Sequence, residues 1–306
     1  MTEKRKKRLF AAAVALCAVC GVAAACFPGG AANTWRSVFT FFGLRDFSAA
    51  ADAAPLSVHV LDVGKADSIL IECGPDDLLV DGGTADRGAS VAAYLKRRGV
   101  TALTAVVNTH PDEDHIGGLA DVLRSFPTEK YLCPDVPQSL IPDTEEYRNV
   151  QDVLKQKKIP QEHPAAGTSF SAGGLLVQVL GPVTPGSDTN NCSIVLKLTY
   201  GKVRFLLMGD AGAPEEETLL TAGRNLSADV LKVGHHGSDT SSSQEFLDAV
   251  KPKYAAISVG YDSNKLPKLD VLQRLTDVGA SVFRTDVSGT LIFLTDGKSI
   301  TVKTEK

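Results

Sequence analysis

Four side chains able to bind a metal ion fall within six residues: His110, Asp112, Asp114 and His115. They lie in the run Val106-Val107-Asn108-Thr109-His110-Pro111-Asp112-Glu113-Asp114-His115-Ile116-Gly117-Gly118, where an apolar strand ends. Pro111 keeps the turn from being helical, and a helix is expected to begin near Ile116. Such a loop can fan its side chains around a small volume, as a pair of metal ions requires. Neutral imidazoles suit zinc and other transition ions, and carboxylates suit harder ions such as manganese. A solvated acidic turn would explain the carboxylates but not the histidines. The chain has only six His, and two of them bracket this segment.

Two further segments have the same form. Val230-Leu231-Lys232-Val233-Gly234-His235-His236-Gly237-Ser238 is an apolar strand running into a His pair flanked by glycine. Adjacent side chains at a strand end point apart. One of His235 and His236 is therefore expected to bind metal, and the other to contact substrate or orient a ligand. The working assignment gives His235 to the metal and His236 to catalysis, and the reverse stays open. Phe205-Leu206-Leu207-Met208-Gly209-Asp210 puts a carboxylate at the end of another buried strand, where a bridging ligand would sit.

Taken in order, these pieces resemble the metallo-β-lactamase superfamily, and more narrowly the hydrolase domain of ComEC-type competence proteins. The resemblance runs over about residues 56 to 303. It includes His59-Val60-Leu61-Asp62-Val63-Gly64, Leu79-Val80-Asp81-Gly82-Gly83, Asn191-Cys192-Ser193-Ile194-Val195-Leu196, Ser258-Val259-Gly260, and Thr285-Asp286 with Gly289. It implies an α+β fold, an αββα sandwich of two mixed sheets flanked by helices, with two divalent metal ions at one edge, zinc or manganese.

Carried over residue by residue, His110 and Asp112 bind one ion. Asp114 and His115 serve the second, with His235 or His236, and Asp210 bridges. Asp81 orients a ligand rather than binding metal. Asn191 stands near the place of a histidine usual in the superfamily, as it does in ComEC-type domains. The ComEC-type Gly-Gln-Gly-Asp turn reads Gly64-Lys65-Ala66-Asp67 here, and the region that often carries Tyr-Gly-His-Pro reads Asn264-Lys265-Leu266-Pro267. Lys65 and Lys232 are candidates to contact an anionic substrate, with simple solvation as the alternative.

The chemistry implied is hydrolysis by a metal-activated hydroxide, with Asp112 or Asp114 able to accept a proton. A phosphodiester is the expected substrate. A β-lactam is disfavoured, because Asp112 stands where β-lactam hydrolases usually have His. The rival expectation is a metal-binding module without catalysis, acting in envelope or DNA-uptake assembly.

The elements that must position these residues are legible as strands and helices in alternation. Strands are expected at Val58 to Val63, Ser68 to Glu72, Leu78 to Val80 after a turn at Asp76-Asp77, and Leu103 to Asn108. Helices are expected at Ala85 to Arg98, Ile116 to Phe126 and Thr144 to Lys157. A second strand-rich half covers Thr168 to Ser171, Leu175 to Leu180, Ser193 to Tyr200 and Val203 to Met208. Helices then follow at Pro214 to Thr221, Ser242 to Lys251 and Lys268 to Val278. Strands recur at Tyr254 to Val259, Ser281 to Phe283, Thr290 to Leu294 and Ser299 to Val302. Two sheets packed together and covered by helices accommodate this order.

Ahead of that domain, at 55–306, the composition changes. Lys4 to Arg8 is a basic run, and Leu9 to Cys26 carries no charge. This is the pattern of a signal peptide or a membrane anchor, 1–26, which places the remainder outside the cytoplasm, secreted or held at the membrane by residues 9–26. Residues 27–54 are expected to be a linker. Its apolar stretch Trp35 to Phe47 suits either a membrane surface or packing on the domain. Residues 1–26 hold five basic residues and one acidic, so a chain of overall charge −4 leaves −8 for the rest. That balance lacks the basic footprint of a strong nucleic-acid binder, so DNA is a possible partner without support from charge. A single apolar segment makes no channel, and DNA transport itself is not expected. Cys17, Cys20 and Cys26 belong to the leading segment. Cys73, Cys133 and Cys192 allow one disulfide at most, with no choice among them.

Overall fold

Successive side chains of a strand point to opposite faces, and the central strands β1 (Leu56–Val60) and β2 (Ile69–Cys73) are buried on both. The computed structural model of the protein describes residues 54–306, apart from 185, 262 and 264. The expected export segment, the stretch Trp35 to Phe47 and Asn264 lie outside the described residues.

The first strands are β1 (Leu56–Val60), β2 (Ile69–Cys73), β3 (Asp76–Val80), β4 (Ala105–Val107), β5 (Tyr131–Leu132) and β6 (Gln161–Glu162). The second group is β7 (Ser169–Ala172), β8 (Leu175–Gly181), β9 (Val195–Tyr200), β10 (Val203–Leu207), β11 (Val230–Lys232), β12 (Tyr254–Ile257) and β13 (Ser281–Arg284). The chain closes with β14 (Leu291–Thr295) and β15 (Ile300–Thr304). One sheet has the order β15-β14-β1-β2-β3-β4-β5-β6 and the other β13-β12-β11-β10-β9-β8-β7. Both are mixed. β3 to β6 run parallel in the first and β10 to β13 in the second.

Three apolar layers follow from the alternation. Val58, Val60, Ile71, Val80 and Val107 meet Val177, Leu196, Leu198 and Phe205 between the sheets. Leu70, Leu79 and Val106 face the other way, onto Val91, Leu95, Leu119, Leu123 and Leu154 from three helices. Leu206, Leu231 and Ala255 do the same in the second sheet, against Phe246, Leu247, Val271 and Leu275. Each of the Val, Leu, Ile and Phe side chains contributes about 1.5–3 kcal/mol on burial. The result is the expected αββα sandwich.

Several boundaries differ from expectation for local reasons. Asp76 and Asp77 are already strand, because Gly74 and Pro75 make the turn. The helix expected from Ile116 begins at Glu113 and is followed by a second one, Leu119–Ser125. Asp112 is extended at φ −70, ψ 149, and its carbonyl accepts from the amides of His115 and Ile116 at 2.9 Å each. Glu113 and Asp114 in the first turn suit the positive end of the helix. Asp114 and His115 are thus held on a helical turn, not on a free loop. Ala85 to Arg98 divides into a 3-10 turn at Ala85–Arg87 and a helix at Gly88–Arg98, closed by Gly99 at φ 82. The two-residue strands β5 and β6 and the short helix Thr285–Ser288 were not expected, being too short for any period to show. Cys73, Cys133 and Cys192 are all free and buried.

Candidate metal centre

The chemistry-bearing residues lie just beyond the carboxyl ends of parallel strands, where open α/β sheets place their ligands. Asp81 follows β3 and His110 follows β4. Asp210 follows β10 and the His235-His236 pair follows β11. The two loops of the first sheet lock together through glycine. The Gly82 amide donates to the His115 carbonyl at 2.8 Å, and that of Gly118 to the Gly83 carbonyl at 2.9 Å. A Cβ on Gly118 would lie 2.1 Å from the Gly82 carbonyl oxygen, so only glycine allows the approach. His235 and His236 both adopt left-handed backbone, at φ 46 and 51, which is rare for non-glycine residues and marks a site held by its surroundings.

Three buried histidines, His110, His115 and His236, share one arrangement. His115 Nδ1 lies 2.8 Å from Asp81 Oδ2. His236 Nδ1 lies 2.9 Å from the Ser258 carbonyl oxygen. His110 Nδ1 lies 3.0 Å from Thr109 Oγ1, and that hydroxyl donates to Asp81 Oδ2 at 2.7 Å. An oxygen acceptor at Nδ1 fixes the proton there and leaves Nε2 with its lone pair, the tautomer a metal requires. All three Nε2 atoms are buried without a hydrogen-bond partner, and so is Asp210 Oδ1. These atoms converge. Asp210 Oδ1 is 3.3 Å from His115 Nε2, and Asp210 Oδ2 is 3.6 Å from His236 Nε2. His236 Nε2 also approaches Asp114 Oδ2 at 3.5 Å.

Ligand atoms of His110, His115 and Asp210 lie within 4.8 Å of one another, and so do those of Asp114, His115 and His236. Orphaned buried nitrogens and oxygens are costly unless something joins them. This donor set of imidazoles and carboxylates fits divalent metal ions, and Asp210 turns one oxygen towards each group. The electrostatics agree. Burial opposes charge on Asp210, yet His236 and His115 hold its carboxyl well below the usual range. Burial likewise opposes charge on His115, and Asp210 with Asp81 outweighs it, raising that imidazole well above its ordinary value. Such a field attracts a cation.

The remaining candidates divide. Asp112 stays at the margin, 37% exposed, with Oδ2 3.6 Å from His110 Nε2. His235 is also marginal. Its Nδ1 meets Thr240 Oγ1 at 2.9 Å, and its Nε2 is 3.9 Å from Asp210. The geometry therefore favours His236 over His235 as ligand, reversing the working assignment, because the tight turn drives the second ring inward. Lys65 Nζ lies 2.7 Å from Asp114 Oδ2 at the partly exposed side. Lys232 is neither solvated nor open to substrate. It is buried, with Nζ 2.8 Å from Asp67 Oδ2. Asn191 spends its side-chain amide on Asp188 and accepts the Gly212 amide at 3.1 Å, tying its loop to the turn that carries Asp210.

Asp67, Thr109, Ser193 and Ser258 were not among the sequence candidates. Ser193 Oγ accepts the Asp210 amide at 3.1 Å and lies 3.3 Å from His110 Nδ1. All four stand in the motifs that carried the family resemblance, so the signal was present, but small hydroxyls and a turn aspartate show no role by type alone.

Comparison with known proteins gives the family and the fold. Residues 61–261 match the family profile described as the metallo-beta-lactamase superfamily. ComE operon protein 3 of Bacillus subtilis is 29% identical over 254 residues, which is 76% of this chain and 32% of that protein. Recombination protein 2 of Haemophilus influenzae is 34% identical over 242 residues, 76% of this chain and 28% of that protein. Both are ComEC-type competence proteins, and this chain spans about a third of their length. Igni18, a metallo hydrolase from Ignicoccus hospitalis, shares the fold at a TM-score of 0.50 and 16% identity, covering 78% of this chain and 99% of its own. The chain belongs to the metallo-beta-lactamase superfamily, in the branch that includes the ComEC-type competence proteins.

Proposed function

We propose that the chain is an exported, metal-dependent phosphodiesterase. The observation that carries this reading is the convergence of the His110, His115 and His236 Nε2 atoms on Asp210, at the strand ends, with Asp112 exposed beside them. When bound there, two divalent ions would lower the pKa of water towards ~7 and neutralise charge developing on a substrate oxygen. His110, His115, Asp210, Asp114 and His236 would hold the ions. Asp81, Thr109 and Ser258 keep the rings turned. Asp112 has its carboxyl depressed: burial opposes its charge, and His110 and Thr189 more than offset that. It is therefore ionised at neutral pH, the form a proton acceptor needs, and the same depression makes it a weak base. Lys65, next to Asp114, adds positive charge where an anionic substrate would approach.

A phosphate ester suits this set better than a lactam, since position 112 offers a carboxylate in place of the usual histidine. Recombination in the name of one relative and the competence class of both make DNA one substrate within the proposal, and the charge of −8 on the exported part keeps a small phosphodiester beside it. Export rests on Lys4 to Arg8 followed by the uncharged run Leu9 to Cys26. Among the described residues no helix is long and apolar enough to cross a membrane.

The second reading, a metal-binding module without catalysis, is favoured by Asn191, which gives its side chain to Asp188 and Gly212 and supplies no ligand. Metal analysis of the full chain separates the readings when joined to turnover of bis-p-nitrophenyl phosphate by wild type, Asp112→Ala and His115→Ala. Bound metal with turnover lost in both variants supports the enzyme. Bound metal without turnover of any phosphodiester supports the module, and a metal-free protein overturns both.

A further inference from the structure

Beside the metal centre, beyond the carboxyl ends of β4, β5 and β6, lies a cavity of about 280 Å3. It is near the lower end of small-molecule sites, roughly 300–1,000 Å3. Asn108 and Pro111 form one wall. They belong to the segment that carries His110 and Asp112, and Asn108 Nδ2 donates to the His110 carbonyl at 2.6 Å. The cavity therefore opens next to the place assigned to the scissile phosphate.

We propose that this cavity is a specificity pocket for a nucleobase, the uncharged, planar part of a nucleotide whose phosphodiester lies at the metal centre. The proposal rests on the phosphodiesterase reading for the position of the phosphate, though not for the pocket itself.

Three observations carry it. The first is charge. Among the described residues of the wall there is no Lys or Arg, and its one carboxylate, Asp135, is exposed. Burial pushes the Cys133 thiol up to about 11, so it stays neutral at physiological pH. An anion has nothing to hold it there, and an uncharged ring loses little on entering.

The second is shape and edge chemistry. Tyr131, Tyr147 and Pro111 line it with rings, while Gln151, Gln161 and His163 bring hydrogen-bonding groups. Stacking faces with polar groups at the edge are how proteins read an unpaired base. Part of that edge is fixed. Gln161 Nε2 donates to Cys133 Sγ at 3.2 Å, and His163 Nδ1 lies 3.2 Å from the Pro134 carbonyl oxygen.

The third is an unmet group. Tyr131 is 1% exposed, and its hydroxyl has no hydrogen-bond partner among the described residues. Burying a hydroxyl unpartnered is unfavourable, and a ligand bearing an edge donor or acceptor would relieve it.

The test uses the full chain, loaded with manganese or zinc, and titrates it by calorimetry with adenosine, guanosine, cytidine and thymidine, none of which carries phosphate. At least one is expected to bind saturably. Tyr131→Phe and Gln151→Ala should each raise its Kd by about five-fold or more, the scale of one lost hydrogen bond. Tyr131→Phe removes one oxygen that has no partner, so the variant is expected to fold. The kinetic counterpart is the ratio of kcat/KM for the p-nitrophenyl ester of that nucleoside's 5′-phosphate to kcat/KM for bis-p-nitrophenyl phosphate. The ratio cancels any shared loss of metal or folded protein, and it should fall in both variants. If no nucleoside binds wild type, or if Kd and ratio stay the same in both variants, the pocket is not a base site. Nucleoside binding without turnover of any phosphodiester would sustain the pocket and sink the phosphodiesterase. Hydrolysis of bis-p-nitrophenyl phosphate without nucleoside binding would do the opposite.

Discussion

Oδ2 of Asp81 lies 2.8 Å from Nδ1 of His115, with both side chains buried at the junction of β3 and the helical turn Glu113–Ile116. The other oxygen of Asp81 accepts the Thr109 amide at 2.7 Å. One carboxylate thus fixes the ring of one ligand and the backbone beside another. It binds at the side of His115 that faces away from Asp210 and makes the ring more basic.

Asp81→Asn should lower metal affinity by about 10–100-fold, the usual effect of removing such an orienting partner. The backbone at position 81 is left-handed, at φ 58, and Asn tolerates that region well, so the fold is expected to survive. Competition with a chromogenic chelator measures the affinity. An unchanged constant would show that Asp81 does not orient the ligand.

His236→Ala should reduce bound metal by about one ion per chain, whereas His235→Ala should leave the stoichiometry intact. The difference follows from position. His236 is fully buried, with Nδ1 held by the Ser258 carbonyl and Nε2 turned to Asp114 and Asp210. His235 is 25% exposed and engages Thr240. Atomic emission on dialysed protein reads the stoichiometry, and metal loss confined to His235→Ala would reverse the assignment.

That pair illustrates what the sequence could and could not supply. The two-sheet architecture was legible because β1 alternates apolar and polar residues over five positions and β2 and β10 are short runs rich in apolar residues. The ligand types were legible because two strand ends run into histidines flanked by glycine, and a third runs into Gly209-Asp210. Which histidine turns inward was not, because it depends on two consecutive left-handed residues, and no side-chain period reports backbone sign. Lys232 was misread for a related reason. In a strand of three residues, the face of a lysine is set by its partner across the sheets, and Asp67 lies far away in sequence. The cavity by β5 and β6 was invisible because two-residue strands have no pattern.

The Lys232–Asp67 pair is buried on both sides, at 1% and 2% exposure. Burial opposes the Asp67 charge, and Lys232, then His236 and His115, more than offset it and lower its pKa. Lys232→Met leaves that carboxylate without its main partner and should destabilise the fold by about 3–5 kcal/mol. Lys232→Met with Asp67→Leu should recover much of the loss, since both charges are then gone. Urea unfolding with chelator present separates this effect from metal binding. Equal stability of the single variant and wild type would mean that the pair does not hold the two strand-end loops together.

Glu72 offers a pH dependence away from the metal centre. Its Oε2 accepts Ser57 Oγ at 3.1 Å and Arg98 Nη2 at 2.9 Å, and lies 3.0 Å from His59 Nε2. Burial opposes its charge, but His59 and Arg98 prevail and bring its pKa from 4.5 down to about 2. A carboxylate depressed in the folded state stabilises it fully above its unfolded pKa. That contribution is lost as pH falls through the folded value. The window is therefore about pH 4.5 down to about 2, and linkage sets the size at about 3 kcal/mol. Glu72→Gln removes the titrating group, so its stability should fall below wild type most at neutral pH, with the gap narrowing across that window. Unfolding by urea at a series of pH values, on metal-free protein, gives the gap directly. A gap that stays constant from neutral pH to pH 2 would mean that Glu72 is not held ionised by His59 and Arg98.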